Sequence, residues 1–210
     1  HADIFDCTAK TGHFMPLKVG EADENVGIHD SAANLGFFNK FAALHGYEGF
    51  VRAFKAIADT EWECVALLNS DAGIPKTAKD RLDVFTDIMA KCKEYQIDPA
   101  RMHIDPLIEM LCTSEDGIKM VVEVIQSIKH QYPTIHVTGA ISNISFNLPA
   151  RRIVNQAFGV LAMNAGMDSF ILDPLSKDMM GMLFATEAMM GLDMFCMEYI
   201  GAFRKEIFVK

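Results

Sequence analysis

Residues 134–149 decide how the rest of the chain is interpreted, and they read TIHVTGAISNISFNLP. The segment begins with a β-rich stretch at 134–137, continues through small polar residues and leads into a helix-like segment. This order places Ser142, Asn143 and Ser145 at the carboxyl end of a strand, where parallel α/β proteins bind their ligands. Ser and Asn are also common in turns for local backbone reasons, so the segment alone supports both a binding loop and a polar turn.

Strand-like and helix-like segments alternate from about residue 60 onward. The predicted strands are 62–68, 101–105, 134–138 and 170–172, and apolar residues at helical spacing follow each of them. The predicted helices are 79–95, 118–128, 150–165, 177–190 and 193–206. This alternation predicts a parallel sheet with helical crossovers, as in a TIM-type (β/α)8 barrel or a doubly wound sheet. No G-x-G-x-x-G follows a strand and no P-loop occurs, which disfavours the dinucleotide-binding version.

Polar residues stand at or just after the ends of the predicted strands: Asn69, Asp105, Asn143 and Asp173. In a barrel, the carboxyl ends of the strands converge on one face, so these four residues are predicted to surround a single site. The competing interpretation is that polar residues simply resume where a strand ends.

The first sixty residues follow no such pattern. Strand candidates occur at 2–7 and 36–39, separated by an acidic, glycine-containing stretch. A full barrel has about 250 residues, whereas this chain has 210. We therefore expect a barrel that lacks its first strand and part of its N-terminal third. Because the sequence starts at His1 and not at Met, we also expect the natural N-terminus to lie upstream.

Composition and charge limit the class of protein. The chain is 50% hydrophobic and 22% charged, as expected for one globular domain. Its net charge of −9 argues against nucleic-acid or membrane partners, because both favour a basic face. The five cysteines are widely spread without a C-x-x-C pair, which predicts free thiols in the cytoplasm and no metal site. We expect neither a membrane span nor a signal peptide.

Five short segments in a fixed order make the pattern more specific. They are Asn69–Pro75 with its Gly-Ile-Pro, His103–Leu107 with its Asp-Pro, Ser142–Pro149, Ala162–Asp168 and Ile171–Pro174. Together they resemble the methyltetrahydrofolate:corrinoid-protein methyltransferases, pterin-binding TIM barrels related to dihydropteroate synthase. The resemblance covers about three quarters of the chain and implies a single pterin-binding barrel domain, 1–210. Residues 50–210 match the family well, and residues 1–49 are irregular or incomplete.

The resemblance implies an enzyme that moves a methyl group between N5 of tetrahydrofolate and the cobalt of a corrinoid, in one-carbon and demethylation metabolism. No Asp-x-His-x-x-Gly corrinoid motif occurs here, so a separate corrinoid protein is expected to carry the cobalamin. A homodimer is implied by the resemblance alone. The alternatives are a dihydropteroate synthase-like enzyme, disfavoured because Ser142-Asn143 replaces that family's Ser-Arg pair, and a non-catalytic pterin-binding or corrinoid-docking scaffold.

The resemblance also implies roles for single residues. Asp105 matches the aspartate that holds the donor edge of the pterin, where an ionised carboxylate can accept two N–H bonds. Asn143 matches the asparagine near N5 and is the predicted catalytic residue, because an amide that donates or accepts there can stabilise the protonated transition state. The full predicted pterin-binding set is Asp30, Asn39, Asn69, Asp105, Gly139, Ser142, Asn143 and Asp173.

Other polar and soft side chains have weaker functional interpretations. His103 and His136 lie on predicted strands, where structural histidines are more common than ligands. Arg151 and Arg152 start the helix after the Asn143 loop and fit either a folate glutamate tail or a solvated face. The methionines at 179–197 fit core packing better than a cofactor site, and a docking or dimer face is a further alternative.

Overall fold

A computed structural model describes residues 9–10, 13–14, 51, 54–55, 57–60, 62–70 and 73–208. At its start, β1 (Ala9–Lys10) pairs antiparallel with β2 (His13–Phe14). The strand candidates at 2–7 and 36–39 lie outside the described residues, as do Asp30 and Asn39.

Three parallel strands form the central sheet in the order in which they occur along the chain. They are β3 (Cys64–Leu67), β4 (Met102–Asp105) and β5 (His136–Val137). The α-helices within residues 73–208 are α1 (Ala78–Glu94), α2 (Gly117–Gln131), α3 (Arg151–Ala165), α4 (Lys177–Met189) and α5 (Met197–Arg204). Short 3-10 helices cover Pro99–Arg101, Leu111–Thr113, Ile141–Ser145 and Met194–Cys196. The predicted α/β class with a parallel sheet is confirmed.

The fourth predicted strand, 170–172, is reduced to a single parallel bridge between Ile171 and Ala140. The Ile171 N–H donates to the carbonyl oxygen of Gly139 at 3.0 Å, and the Ile141 N–H donates to that of Ile171 at 3.3 Å. This segment therefore continues the sheet beside β5, although it is too short to be a regular strand.

The two faces of the sheet differ in chemistry because successive side chains of a strand point to opposite sides. One face is apolar and belongs to the same hydrophobic core as the buried sides of α1 and α2. Its strand residues are Cys64, Ala66, Met102, Ile104 and Val137. The opposite face carries His103 and Asp105 on β4, and His103 pairs in register with His136. The polar side chains of the strands are therefore concentrated on one side of the sheet.

The last predicted helix, 193–206, is broken into two parts. Phe195 and Cys196 have positive φ angles of 56° and 55°, so α5 begins only at Met197. The Asp193 carboxylate accepts the backbone N–H groups of Glu198 and Tyr199, at 3.0 and 2.9 Å. These two donors lie in the first turn of α5, where no intrahelical partner exists for them. In the described part of the chain, every helix is too short or too polar to cross a membrane.

Candidate functional site

The chain leaves the parallel strands at a common edge of the sheet. The Leu68 N–H donates to the carbonyl oxygen of Asp105 at 3.0 Å, and the Thr138 N–H donates to that of Ile104 at 2.9 Å. Asn69, Asp105 and the loop after β5 therefore occupy neighbouring positions at the carboxyl edge. In parallel α/β folds this edge is where ligands bind.

Asp105 is buried, with 8% of its surface exposed. Its Oδ1 accepts the Leu107 N–H at 2.8 Å. Burial raises the pKa of the Asp105 carboxyl from 3.8 to about 6, against the opposing effects of the Leu107 N–H and the Arg81 guanidinium. The carboxylate is thus poorly solvated, and a ligand that donates hydrogen bonds to it would restore part of the lost hydration.

Arg81, which the sequence analysis did not single out, fixes the backbone that follows Asp105. Its guanidinium is completely buried and donates to the carbonyl oxygen of Leu107 at 2.6 Å and to Glu109 Oε2 at 2.8 Å. A further bond reaches the carbonyl oxygen of Pro106. The burial of Arg81 lowers its pKa despite the nearby Glu109. Because these partners come from the loop after β4, Arg81 connects α1 to the Asp105 loop.

The position of Arg81 within α1 carries a signal that sequence reading can use. Arg81 lies four residues before the buried Phe85, so both face the same side of the helix. The apolar neighbour Leu82, in contrast, is only half-buried. An arginine at helical spacing from buried apolar residues therefore indicates a buried cation that has partners elsewhere in the fold.

Asn143 lies on the 3-10 helix that follows β5. Ile141, Ile144 and Ser145 of this turn are buried, whereas Ser142 and Asn143 are exposed. The buried residues anchor the turn. Within the described part of the chain the Asn143 amide forms no side-chain hydrogen bond, and it is therefore accessible to a ligand at the carboxyl edge.

Arg151 at the start of α3 holds the same turn from the other side. Its Nε donates to Ser145 Oγ at 3.0 Å, and its Nη2 donates to the carbonyl oxygen of Ser142 at 2.8 Å. The guanidinium carbon also lies 5.5 Å from the centre of the Phe146 ring. These contacts flank Asn143 on both sides, so Arg151 positions the turn that carries it.

The other predicted site residues differ in their surroundings. The Oδ1 of Asn69 is buried and has no hydrogen-bond partner among the described residues. A Cβ on Gly139 would lie 2.6 Å from Ile108 Cδ1, so a larger residue there would force the Ile108 side chain to move. Asp173 is exposed, and its Oδ1 accepts the Leu175 N–H at 2.9 Å. Asn69 thus has an unused acceptor, whereas Gly139 and Asp173 have local structural roles.

Comparison with known families agrees with this arrangement. The family model described as pterin binding enzyme matches residues 43–173, which is more than half of the chain. The chain belongs to the pterin-binding enzyme family. The match includes Asn69, Asp105 and Asn143, the polar residues at or after the ends of the three regular parallel strands.

Two kinds of curated relative are similar to this chain. It is 43% identical over 148 residues to a methylcorrinoid:tetrahydrofolate methyltransferase of Eubacterium limosum, covering 70% of this chain and 55% of that protein. It is 28% identical over 131 residues to methionine synthase of Mycobacterium tuberculosis, covering 59% of this chain and 11% of the synthase. The methionine synthase of Mycobacterium leprae matches to the same extent. The chain thus spans about half the length of the first relative.

The amino edge of the sheet carries a separate polar cluster. His103 Nε2 lies 2.8 Å from Glu63 Oε2, and His136 Nδ1 lies 3.1 Å from Asp168 Oδ2. The two imidazole rings are 4.8 Å apart, and Lys129 Nζ lies 3.0 Å from the same Asp168 oxygen. Burial raises the pKa of Asp168, but His136 and Lys129 outweigh it and hold the value below its usual range. Both histidines therefore have partners away from the carboxyl edge.

Among the described residues, no group of three or more His, Cys, Asp and Glu side chains is arranged to hold a metal ion. Cys64 and Cys92 are buried free thiols, and burial raises the pKa of both. Cys112 and Cys196 are exposed and also free.

Proposed function

We propose that the protein moves a methyl group between N5 of tetrahydrofolate and the cobalt of a corrinoid carried by a separate protein. The observation that carries this proposal is the 43% identity to a methylcorrinoid:tetrahydrofolate methyltransferase. The carboxyl edge of the sheet is compatible with it, because Asp105 and Asn143 offer the two kinds of group that a methylated pterin needs. The reaction belongs to one-carbon or demethylation metabolism.

Asp105 is proposed to hold the pterin ring. A ring N–H and the adjacent amino group form a pair of donors that matches the two oxygens of a carboxylate. The Asp105 carboxyl is buried, and its Oδ1 already accepts one backbone N–H. Donors from the ligand would favour its ionised form and replace the hydration lost on folding. Arg81 supports this role because it fixes the loop that follows Asp105.

Asn143 is proposed to act at the reacting nitrogen. A neutral amine is a poor leaving group, so N5 has to gain positive character before its bond to the methyl carbon breaks. An amide can donate to or accept from N5 as its protonation changes. The exposed position of Asn143 on an anchored turn suits this role. The corrinoid cobalt supplies the methyl acceptor in one direction and the methyl donor in the other.

We further propose that β3, β4, β5 and the Ile171 segment are consecutive strands of a TIM-type (β/α)8 barrel. Their parallel order and the intervening helices support this. In this proposal residues 1–210 belong to one pterin-binding domain. The remaining pterin ligands would be Asp30, Asn39, Asn69, Gly139, Ser142 and Asp173. A homodimer in the cytoplasm completes the proposal, and the four described free cysteines suit a reducing compartment.

The direct test is to incubate the protein with 5-methyltetrahydrofolate and a Co(I) corrinoid protein while following the cobalt absorption spectrum. Conversion of the Co(I) spectrum to that of methyl-Co(III) is expected, together with loss of the methyl group from the folate. Tight folate binding without transfer to any corrinoid protein tested would instead support the non-catalytic scaffold. Condensation of p-aminobenzoate with a pterin pyrophosphate would support the dihydropteroate synthase alternative.

A further inference from the structure

The backbone of Leu107 adopts an uncommon conformation two residues after Asp105. Its φ angle is 63°, in the left-handed region that leucine rarely enters. The Leu107 side chain is half-buried and packs against the hydrophobic core. A strained backbone of this kind persists only where the surrounding contacts fix it, and such strain is concentrated at functional sites.

A second copy of the same tripeptide shows that sequence alone does not impose this conformation. Asp-Pro-Leu occurs at 105–107 and again at 173–175. In both copies the Asp carboxylate accepts the N–H of the leucine, at 2.8 Å for Leu107 and 2.9 Å for Leu175. Of these two leucines, only Leu107 has a positive φ angle. The tripeptide and its hydrogen bond are thus compatible with either backbone conformation.

The buried guanidinium of Arg81 distinguishes the first copy from the second. It donates to the carbonyl oxygen of Leu107 at 2.6 Å and also to that of Pro106. Within residues 73–208, no arginine or lysine donates to the corresponding carbonyl groups of Pro174 and Leu175. Because Arg81 is completely buried, its acceptors have to stay in place to satisfy it. The contact with Arg81 therefore accounts for the left-handed turn at Leu107.

This turn determines where the Leu107 N–H points. Pro106 has no N–H, so that of Leu107 is the first backbone donor after Asp105. It binds Oδ1, whereas Oδ2 accepts no hydrogen bond among the described residues. Burial raises the pKa of the Asp105 carboxyl, and the Leu107 N–H and Arg81 both oppose this rise. The N–H thus favours one orientation and the ionised form of the carboxylate.

We propose that Leu107 is a positioning residue, whose left-handed backbone, held by Arg81, orients the Asp105 carboxylate for the donors of a pterin ring. The identity of this ligand rests on the proposed function. The contribution of Leu107 comes from its backbone, so it depends on how readily the residue at position 107 adopts a positive φ angle. Asparagine does so more readily than leucine, and a β-branched residue least of all.

Two substitutions separate the backbone of position 107 from its side chain. Leu107→Ile keeps the volume and apolar character, but the branched Cβ disfavours a positive φ angle. Leu107→Asn removes the apolar side chain and tolerates that angle. Leu107→Ile is expected to weaken 5-methyltetrahydrofolate binding at least about tenfold, because the carboxylate loses a charge-assisted hydrogen bond. Leu107→Asn is expected to weaken it by less than about threefold.

A second measurement follows the Asp105 carboxyl without any ligand. Its 13C chemical shift, assigned with the help of Asp105→Asn, is titrated with pH in the native protein and in both variants. In Leu107→Ile the pKa of Asp105 is expected to lie above the native value, because the N–H no longer stabilises the ionised form. In Leu107→Asn it is expected to stay near the native value.

Leu175→Ile is the matched control, because it makes the same change in the copy that lacks the positive φ angle. It is expected to alter neither the folate affinity nor the pKa of Asp105. The inference is overturned if Leu107→Asn weakens folate binding more than Leu107→Ile, or if Leu107→Ile leaves the pKa of Asp105 unchanged.

The two measurements also separate this inference from the proposed function. If the native protein binds no folate but the pKa of Asp105 follows the expected order, the proposed function fails and the positioning by Leu107 stands. If folate binds but the variants do not follow that order, the reverse holds. Should Leu107→Ile not fold, Leu107→Asn still decides, because a backbone role predicts that folate binding is retained and a side-chain role predicts its loss.

Discussion

The buried carboxyl of Asp105 makes the stability of the protein depend on pH in a defined direction. Its pKa is raised by burial from 3.8 to about 6 in the folded protein. Below pH 4 the Asp105 carboxyl is protonated in both the folded and the unfolded chain, so it has no net effect on the free energy of unfolding. Between pH 4 and 6 the unfolded chain loses the proton while the folded chain retains it, so the free energy of unfolding falls as the pH rises. Above pH 6 the carboxyl is ionised in both states, and its burial lowers the free energy of unfolding by about 3 kcal/mol.

Asp105→Asn should remove this cost, because the amide cannot ionise and its oxygen can still accept the Leu107 N–H. In urea unfolding at a series of pH values, the variant is expected to match the native protein near pH 4. It should exceed the native protein by about 2–3 kcal/mol at pH 7 and above. The same variant is expected to lose pterin binding, because one carboxylate acceptor becomes a donor.

Asp173→Asn is the matched control for this experiment. Asp173 also follows the sheet at its carboxyl edge, but it is exposed. Its substitution should change the free energy of unfolding by less than about 0.5 kcal/mol at every pH. The reasoning about Asp105 would be refuted if Asp105→Asn were less stable than the native protein at pH 7. It would also be refuted if the difference between the two did not vary with pH.

Further substitutions test the loops around the site. Arg81→Met should destabilise the protein by about 3–5 kcal/mol in urea unfolding, since it leaves the buried partners of the guanidinium unpaired; a loss below about 1 kcal/mol would contradict this. Asn143→Ala should slow methyl transfer at least about a hundredfold and change the folate affinity little. Asp105→Ala should mainly abolish folate binding. If both variants lost rate and affinity in parallel, the proposed division of roles would be refuted. Gly139→Ala should cost about 1 kcal/mol, because its Cβ meets Ile108 Cδ1. Ile108→Val in the same chain should recover part of that loss if the contact is the cause.

The order and direction of the strands could be predicted from the sequence because each signal is local. Short apolar segments followed by helical periodicity identify crossovers, and helical crossovers imply parallel pairing. The break in the predicted helix 193–206 could not be predicted in the same way. No glycine or proline marks Phe195 or Cys196, and the capping of α5 by Asp193 depends on backbone conformations with positive φ.

The site was predictable only to the extent that strand ends define it. Asp105 ends a strand and Asn143 comes after one, so their place at the carboxyl edge can be predicted from the pattern. The role of Arg81 does not, because its partners Leu107 and Glu109 are 26 and 28 residues away in sequence. The packing of Gly139 against Ile108 could not be predicted either, because it also joins loops that are distant in sequence. Contacts between loops that are distant in sequence are set by the packing of whole elements and leave only weak local signals.

The turn that carries Asn143 separates the residues that hold it from the residues that face a ligand. Ile141, Ile144 and Ser145 are buried and Arg151 holds the backbone, whereas Ser142 and Asn143 project outward. Substitutions at the two exposed positions leave the anchoring contacts intact. Single substitutions at these two positions can therefore change the chemistry offered at the carboxyl edge at little cost to the stability of the fold.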